Sequence, residues 1–284
     1  TSGWTEKDCD YLCDGTADQT EINAAITALP ATGGEIVILD GTYNITAAVY
    51  VNKSAVSIEG SGNATILKRM FESPSTIKRG VITLDNNSGC KISDLQVDGN
   101  KLNFVSVRNQ NICVNESSNN VITRIVCNNS AANGFEIRGN SDNNIITGNI
   151  CNNNECGISV FPSHNNIITG NICNDNEYGI YLSISDSNTI TGNTCNNNEC
   201  GIYLGSSSNN TVTGNTCVRG TGLPTDYTAS QNTIQLYGTG NNYNLISSNN
   251  CMGKAPVDGG TSNTVFNNKW NESSDFEDLR ADVV

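Results

Sequence analysis

The chain has 284 residues, a formal net charge of −13, 27 glycines, twelve cysteines and only 6% aromatic residues. That balance disfavours nucleic acid as a partner, because counterion release needs clustered Lys and Arg. No run of about 18 apolar residues exists to span a membrane. Charge is too sparse for classical disorder, and a repeat fold of this length is often one unit.

The chain begins at Thr1, which suits a mature form released from a signal peptide. Sequons led by Asn44, Asn52, Asn63, Asn115, Asn209 and Asn271, together with the cysteines, fit an extracellular or cell-surface address. Asp18 and Glu21 frame a capping box, followed by Ile22, Ala25, Ile26 and Leu29 on one helical face. Residues 1–35 are therefore read as an N-terminal segment with a capping helix.

From residue 36 to 272 the pattern is that of short strands. Cys151, Cys173, Cys195 and Cys217 stand twenty-two residues apart, with Cys127 before them and Cys251 after an insertion. Gly134, Gly157, Gly179 and Gly201 keep step, as do Asn149, Asn171, Asn193 and Asn215. Ile-Ser-Val at 158–160 and Ile-Tyr-Leu at 180–182 and 202–204 alternate with the two-residue period of a strand. Gly and Asn supply the left-handed corners, and no helical period separates the strands. A repeat of this length with these properties is a solenoid, here an all-β, single-stranded, right-handed parallel β-helix. A second capping box at Ser274 to Glu277, with Phe276, Leu279 and Val283 on one face, predicts a C-terminal cap over 273–284.

The repeat resembles the parallel β-helix repeats of the pectate-lyase-like superfamily, particularly NosD-type and related surface proteins. The opening segment CDGTADQTEINAAITALPATGGEIVILDGTYNI (13–45) resembles the entry segment of many of these proteins and of phage tailspikes. The resemblance covers nearly the whole chain and implies the fold; it implies no one reaction, because lyases, hydrolases, epimerases and structural proteins share it. It also implies that the N-terminal helix plugs the first coil and that the position of the ladder cysteines is usually an inward aliphatic.

Three readings stand for Cys127, Cys151, Cys173, Cys195, Cys217 and Cys251. They are small core hydrophobes, or rungs bridged as 127–151, 173–195 and 217–251, or a metal stack. The spacing is not C-x-x-C and the one His, His164, lies in a turn off the ladder. NosD-type resemblance carries a copper label, but two Met and one His form no copper cluster, so no metal or cofactor is expected. Cys156 and Cys200 flank the equivalent Tyr178 and are read as local partners of Cys151 and Cys195, or as outward cross-links between molecules. Asn149, Asn171, Asn193 and Asn215 are expected to form an inward amide ladder.

The acid motifs that the superfamily's lyases, polygalacturonases and epimerases use are missing. Asp94 and Asp98 in KISDLQVDGN are the best remaining acids and stand as catalytic candidates, although such a string usually turns the chain. An outward row runs Glu136, Ser159, Tyr181, Tyr203, Gln235, with Arg138, Phe161, Ser183, Gly205 and Tyr237 two residues on. Glu136 and Arg138 are the candidates for uronate chemistry; Phe161, Tyr181, Tyr203 and Tyr237 are candidates for stacking on sugar rings. Asp226 and Tyr227, in the insertion 218–231, are candidate ligand contacts. The first expectation is a structural subunit of an extracellular sheath, layer or fibre that associates with itself, laterally or through its tails. The alternatives are a polysaccharide-active enzyme or glycan-binding protein using the outward face, and a tailspike-like adhesin.

Overall fold

The computed structural model describes residues 4–73, 79–219 and 231–270. Among them a helix, Gln19–Ala28, precedes a succession of short strands that pair only in parallel, each with the coil before and the coil after. They build one sheet of twelve strands, a second of nine and a third of three. The chain is a parallel β-helix.

One-residue alternation decides what points inward. In the first sheet Ile58, Ile92, Ile122, Ile146, Ile168, Ile190, Val212 and Ile246 occupy one register column, and all are buried. In the second sheet Val114, Ile137, Val160, Leu182, Leu204 and Leu236 do the same. A third column begins Leu67, Val97, Cys127, passes through the other ladder cysteines and ends with Cys217, Cys251 and Trp270. The cysteines thus take over a column that aliphatic side chains fill in the earlier coils.

Their small size matters because of the glycine row. A Cβ added to Gly157 would lie 2.9 Å from Cys173 Cβ, one added to Gly179 would lie 2.9 Å from Cys195 Cβ, and one added to Gly201 would lie 3.0 Å from Cys217 Cβ. Cys173, Cys195 and Cys217 therefore pack directly on the strand glycine of the preceding coil. Gly179→Ala also brings its methyl to 2.5 Å from the Gly201 carbonyl oxygen, a backbone atom that cannot swing away. The expected cost is roughly 1–3 kcal/mol or more of overpacking, read as a lowered urea midpoint; an unchanged midpoint would show that the coils are not in this contact.

The corners are closed by amides. Gly148, Gly170, Gly192 and Gly214 adopt φ of 63–65° and turn the chain into the next asparagine. Asn171 Nδ2 donates to Ile146 O (2.9 Å) and to Asn193 Oδ1 (3.0 Å), while its own Oδ1 accepts from the backbone N–H and the amide of Asn149 (3.0 Å each). The column continues through Asn215 to Asn249 and Asn268. Two further columns, Asn144, Asn166, Asn188, Asn210, Asn244 and Asn154, Asn176, Asn198, repeat this device. Ser141, Ser163, Ser185 and Ser207 line another corner through hydroxyls that accept backbone N–H groups.

At the N-terminal end the expected capping box does not form. Asp18 is itself helical (φ −56°, ψ −15°) and makes no side-chain cap bond. Its carboxylate accepts instead from the N–H of Gly15 (2.7 Å) and of Asn44 (2.6 Å), docking the helix entrance on a strand. Ile22 and Ile26 are buried against the first coil, as a plug requires. The cap expected over 273–284 lies outside the described residues.

Candidate functional site

The outward face of the second sheet carries the chain's aromatic cluster. Register places Glu136 beside Ser159, then Tyr181, Tyr203 and Gln235 in successive coils. The rings of Tyr181 and Tyr203 stack at 4.9 Å between centroids with planes 3° apart, and Tyr237 follows at 6.0 Å. Tyr178 meets both Tyr181 and Tyr203 edge-on at 5.2 and 5.4 Å. Gly205 makes room for this: a Cβ there would sit 3.0 Å from Tyr203 Cε1. On its other side Tyr181 has Ser159 as register partner, a side chain too short to cover a ring. Phe161, 41% exposed, and Tyr237, 63% exposed, flank the cluster.

The electrostatics of this face are set by burial and by acids. Glu177 and Glu199 stand immediately before Tyr178 and Cys200 and are exposed. Burial, then the charge of Glu199, raises the Glu177 carboxyl above its ordinary value. Burial, then the neighbouring Glu177, pushes Tyr178 up to about 12, and burial and the adjoining phenols raise Tyr203. These hydroxyls stay protonated, and able to donate, throughout the neutral range. The face is aromatic, hydroxyl-bearing and negative along one edge.

The acids singled out from the sequence do not converge. Glu136, expected outward beside Arg138, is only 2% exposed. Its strand position is outward by alternation, but local alternation does not say what packs over it. Asp94 and Asp98 belong to the strand Lys91–Asp98 of the first sheet, whereas Glu136 and Arg138 belong to Phe135–Arg138 of the second. Arg124 donates two bonds to Asp94, Nε to Oδ1 at 2.6 Å and Nη2 to Oδ2 at 2.5 Å, which holds that carboxyl below its ordinary value. Asp98 accepts from the N–H of Asn100 at 3.0 Å and caps a turn. Asp226 and Tyr227 lie outside the described residues.

The cysteines are interior. The six ladder residues are thiols and not the three bridges that coil spacing permits, and none exceeds 1% exposure. Burial raises Cys127 and Cys151; for Cys173, Cys195 and Cys217 the hydrogen bond with the preceding rung is the largest cause. Cys156 and Cys200 pair with Tyr178 in register but are 6% and 3% exposed, so they are not presented outward for cross-linking. The Cys200 thiol donates to Ile202 O at 3.4 Å, and burial pushes its pKa up strongly. The outward option rested on Tyr178 holding the equivalent place in the coil between them, and burial of both thiols removes it.

A fold of parallel coils with a decorated outward sheet defines the class of parallel β-helix proteins. A family model described as periplasmic copper-binding protein (NosD) matches residues 56–280, and the chain belongs to that family. No curated protein sequence matches the chain. Among solved structures it is similar to the A-module of the mannuronan C-5 epimerase AlgE4 of Azotobacter vinelandii, at 16% identity and TM-score 0.53, covering 94% of this chain and 95% of that one. It is also similar to an endo-xylogalacturonan hydrolase of Aspergillus tubingensis (14%, 0.53, 92% of each chain). A third likeness is to the enzymatically active domain of bacteriophage CBA120 tailspike protein 2 (13%, 0.61), where it covers 92% of this chain but only 41% of the other. At these identities the likeness is one of fold.

The copper in the family's description does not fit the donors present. His164 is held in a corner, where its Nδ1 accepts from Asp186 N–H at 3.0 Å. The ladder thiols are sealed in an aliphatic core with no imidazole or thioether beside them. Among the described residues one group of three potential ligands comes together, Cys13, Asp18 and Glu21. Its two carboxylates are hard oxygen donors, unlike the sulfur and imidazole sets that hold copper.

Proposed function

We propose that the protein is an extracytoplasmic glycan-binding β-helix, which holds a polysaccharide strand on the tyrosine face without chemistry of its own. The observation that carries this reading is the contiguous cluster of Tyr178, Tyr181, Tyr203 and Tyr237 on one outward sheet. Such side chains present apolar edges and hydroxyl donors together, the combination a sugar's C–H faces and hydroxyls require. Rings preset by stacking lose little conformational freedom on binding. Binding is favoured over catalysis because Asp94 and Asp98 are engaged in structural contacts and stand on another sheet from Glu136. Similar folds include an epimerase of mannuronan and a hydrolase of xylogalacturonan, which supports a polysaccharide as ligand class. The family's description as periplasmic supports the address.

The charge selects the ligand. With a net charge of −13 and Glu177 and Glu199 beside the rings, the face repels polyuronates and suits a neutral glycan. In native gels containing a neutral polysaccharide, wild-type protein should be retarded and Tyr203→Ala should bind about tenfold more weakly, the loss of one stacked ring with its contact area. Equal retardation of the two proteins would reject this face as the site.

An assembly subunit is the second reading. It is favoured by the last described coil, where the inward Val265 and Trp270 are 38% and 39% exposed. Sedimentation across a concentration series should then show reversible self-association; a strictly monomeric protein removes this reading.

A further inference from the structure

The N-terminal cap contains a group of potential metal donors that the tyrosine face does not use. Cys13 Sγ and one oxygen each of Asp18 and Glu21 all lie within 4.8 Å of one another. Asp18 is fully buried, and the two backbone N–H groups it accepts, from Gly15 and Asn44, fix its carboxylate in place while leaving a second lone pair on each oxygen. Glu21 Oε2 has no solvent-accessible surface and no hydrogen-bond donor. An ionised carboxylate oxygen in that condition is costly unless a cation meets it. The group opens on a cleft of about 720 Å³ whose wall also carries Cys9, so an ion has a route in.

We propose that Cys13, Asp18 and Glu21, with Cys9 as fourth donor, form a site for one Zn²⁺ ion in the N-terminal cap. One sulfur and two carboxylates stand around a small volume; Cys9, whose thiol donates to Thr5 O at 3.5 Å, lines the same cleft and would turn in as the second sulfur, at the C-x₃-C spacing common among zinc ligands. Zinc bonds of about 2.3 Å to sulfur and about 2.0–2.2 Å to oxygen place neighbouring donors closer together than 4.8 Å, so the site closes by small side-chain movements. Thiol donors count against Ca²⁺ and Mg²⁺, which take oxygen. Copper is disfavoured because Cu⁺ prefers softer partners than two carboxylates and Cu²⁺ is reduced by thiols. Burial, with the charges of Asp18, Glu21, Cys9 and Asp14, pushes the Cys13 thiol up to about 12. Zn²⁺ reverses that balance, and binding releases the thiol protons to solvent. The ion would tie the segment around Cys9 and Cys13 to the helix Gln19–Ala28 and, through Asp18, to the strand Gly41–Ile45, fastening the plug onto the first coil.

The test uses the full chain, purified with a non-thiol reductant and stripped with chelator, then titrated with Co²⁺ and Zn²⁺. Co²⁺ should give a sulfur-to-metal charge-transfer band saturating at one ion per chain. Zn²⁺ should bleach the band, slow maleimide labelling of Cys9 and Cys13 at least tenfold and raise the melting temperature. Cys13→Ser should abolish the band. Glu21→Gln, which keeps the shape of the side chain, should weaken binding at least about tenfold, while Glu35→Gln, elsewhere on the cleft wall, should leave it unchanged. Absence of the band with labelling unaltered by Zn²⁺ overturns the proposal. So does a band that survives in Cys13→Ser, or Glu21→Gln binding as tightly as wild type.

Discussion

Raising the pH from 8 to about 10.5 should unfold the protein cooperatively, with most of the loss falling above pH 9. The cause is the cysteine column. Cys127, Cys151, Cys173, Cys195 and Cys217 all have thiols raised above their ordinary value, and burial with the charge of Cys217 pushes Cys251 up to about 12. An acid with a higher pKa in the folded state holds more protons folded than unfolded, so stability falls as pH passes the unfolded value. The unfolded thiol ionises near 8.5, so at pH 10 each rung that stays protonated in the core costs about 2 kcal/mol. The losses add along the column, so a few such rungs already approach a whole domain's stability of roughly 5–15 kcal/mol. Circular dichroism across the pH range, with return to pH 7.5 to test reversibility, reads the effect. Cys173→Ala should flatten the slope by one group's share. Stability that is level from pH 8 to 10.5 would mean that the column is not a stack of sealed thiols.

Asn171→Ala should be strongly damaging, as a single substitution in the middle of a corner column. The amide of Asn171 satisfies four groups: the Asn149 backbone N–H, the Asn149 side-chain amide, the Ile146 carbonyl and Asn193 Oδ1. All lie in the buried column, and truncation leaves them without that partner. At about 1–3 kcal/mol for a buried group stripped of its bond, and allowing for partial relaxation, the loss is roughly 3–5 kcal/mol. Urea unfolding reads it directly. Asn171→Asp should also destabilise at neutral pH, because it removes the two donated bonds and buries a charge. A loss under about 1 kcal/mol in the alanine variant would mean that the amides are not carrying the corner. Neither change touches the tyrosine face, so ligand binding by the folded fraction should persist.

The coil was legible because each turn copies the last. A repeated T-G-N supplies a left-handed glycine and then a ladder amide, and the glycine before each Ile-x-Leu strand leaves room for the cysteine of the next coil. The outward rows could be written down for the same reason. Coverage could not be, since it depends on what lies across the surface: Glu136 alternates outward yet is buried. Asp18 looked like a helix cap because D-x-x-E is a local signal; its real partners, Gly15 and Asn44, include one twenty-six residues away. The cluster of Cys13, Asp18 and Glu21 was missed for that reason, although CDYLC already carried the cysteine spacing. The second and third asparagine columns keep one invariant asparagine per copy inside variable strings, NNI, SNT, NNT and YNL for the one and NNN and NDN for the other, which hides them beside the more regular T-G-N.

Titration calorimetry with a neutral oligosaccharide long enough to cross several coils tests the central claim most directly. Wild-type protein should bind one strand per face with a negative heat-capacity change, the mark of apolar surface covered on binding. Tyr181→Ala and Tyr203→Ala should each reduce the affinity about tenfold while leaving thermal stability close to wild type, and a polyuronate of equal length should bind less well. Undiminished binding by both variants, or a preference for the polyuronate with release of new chain ends, would contradict a glycan-binding tyrosine face.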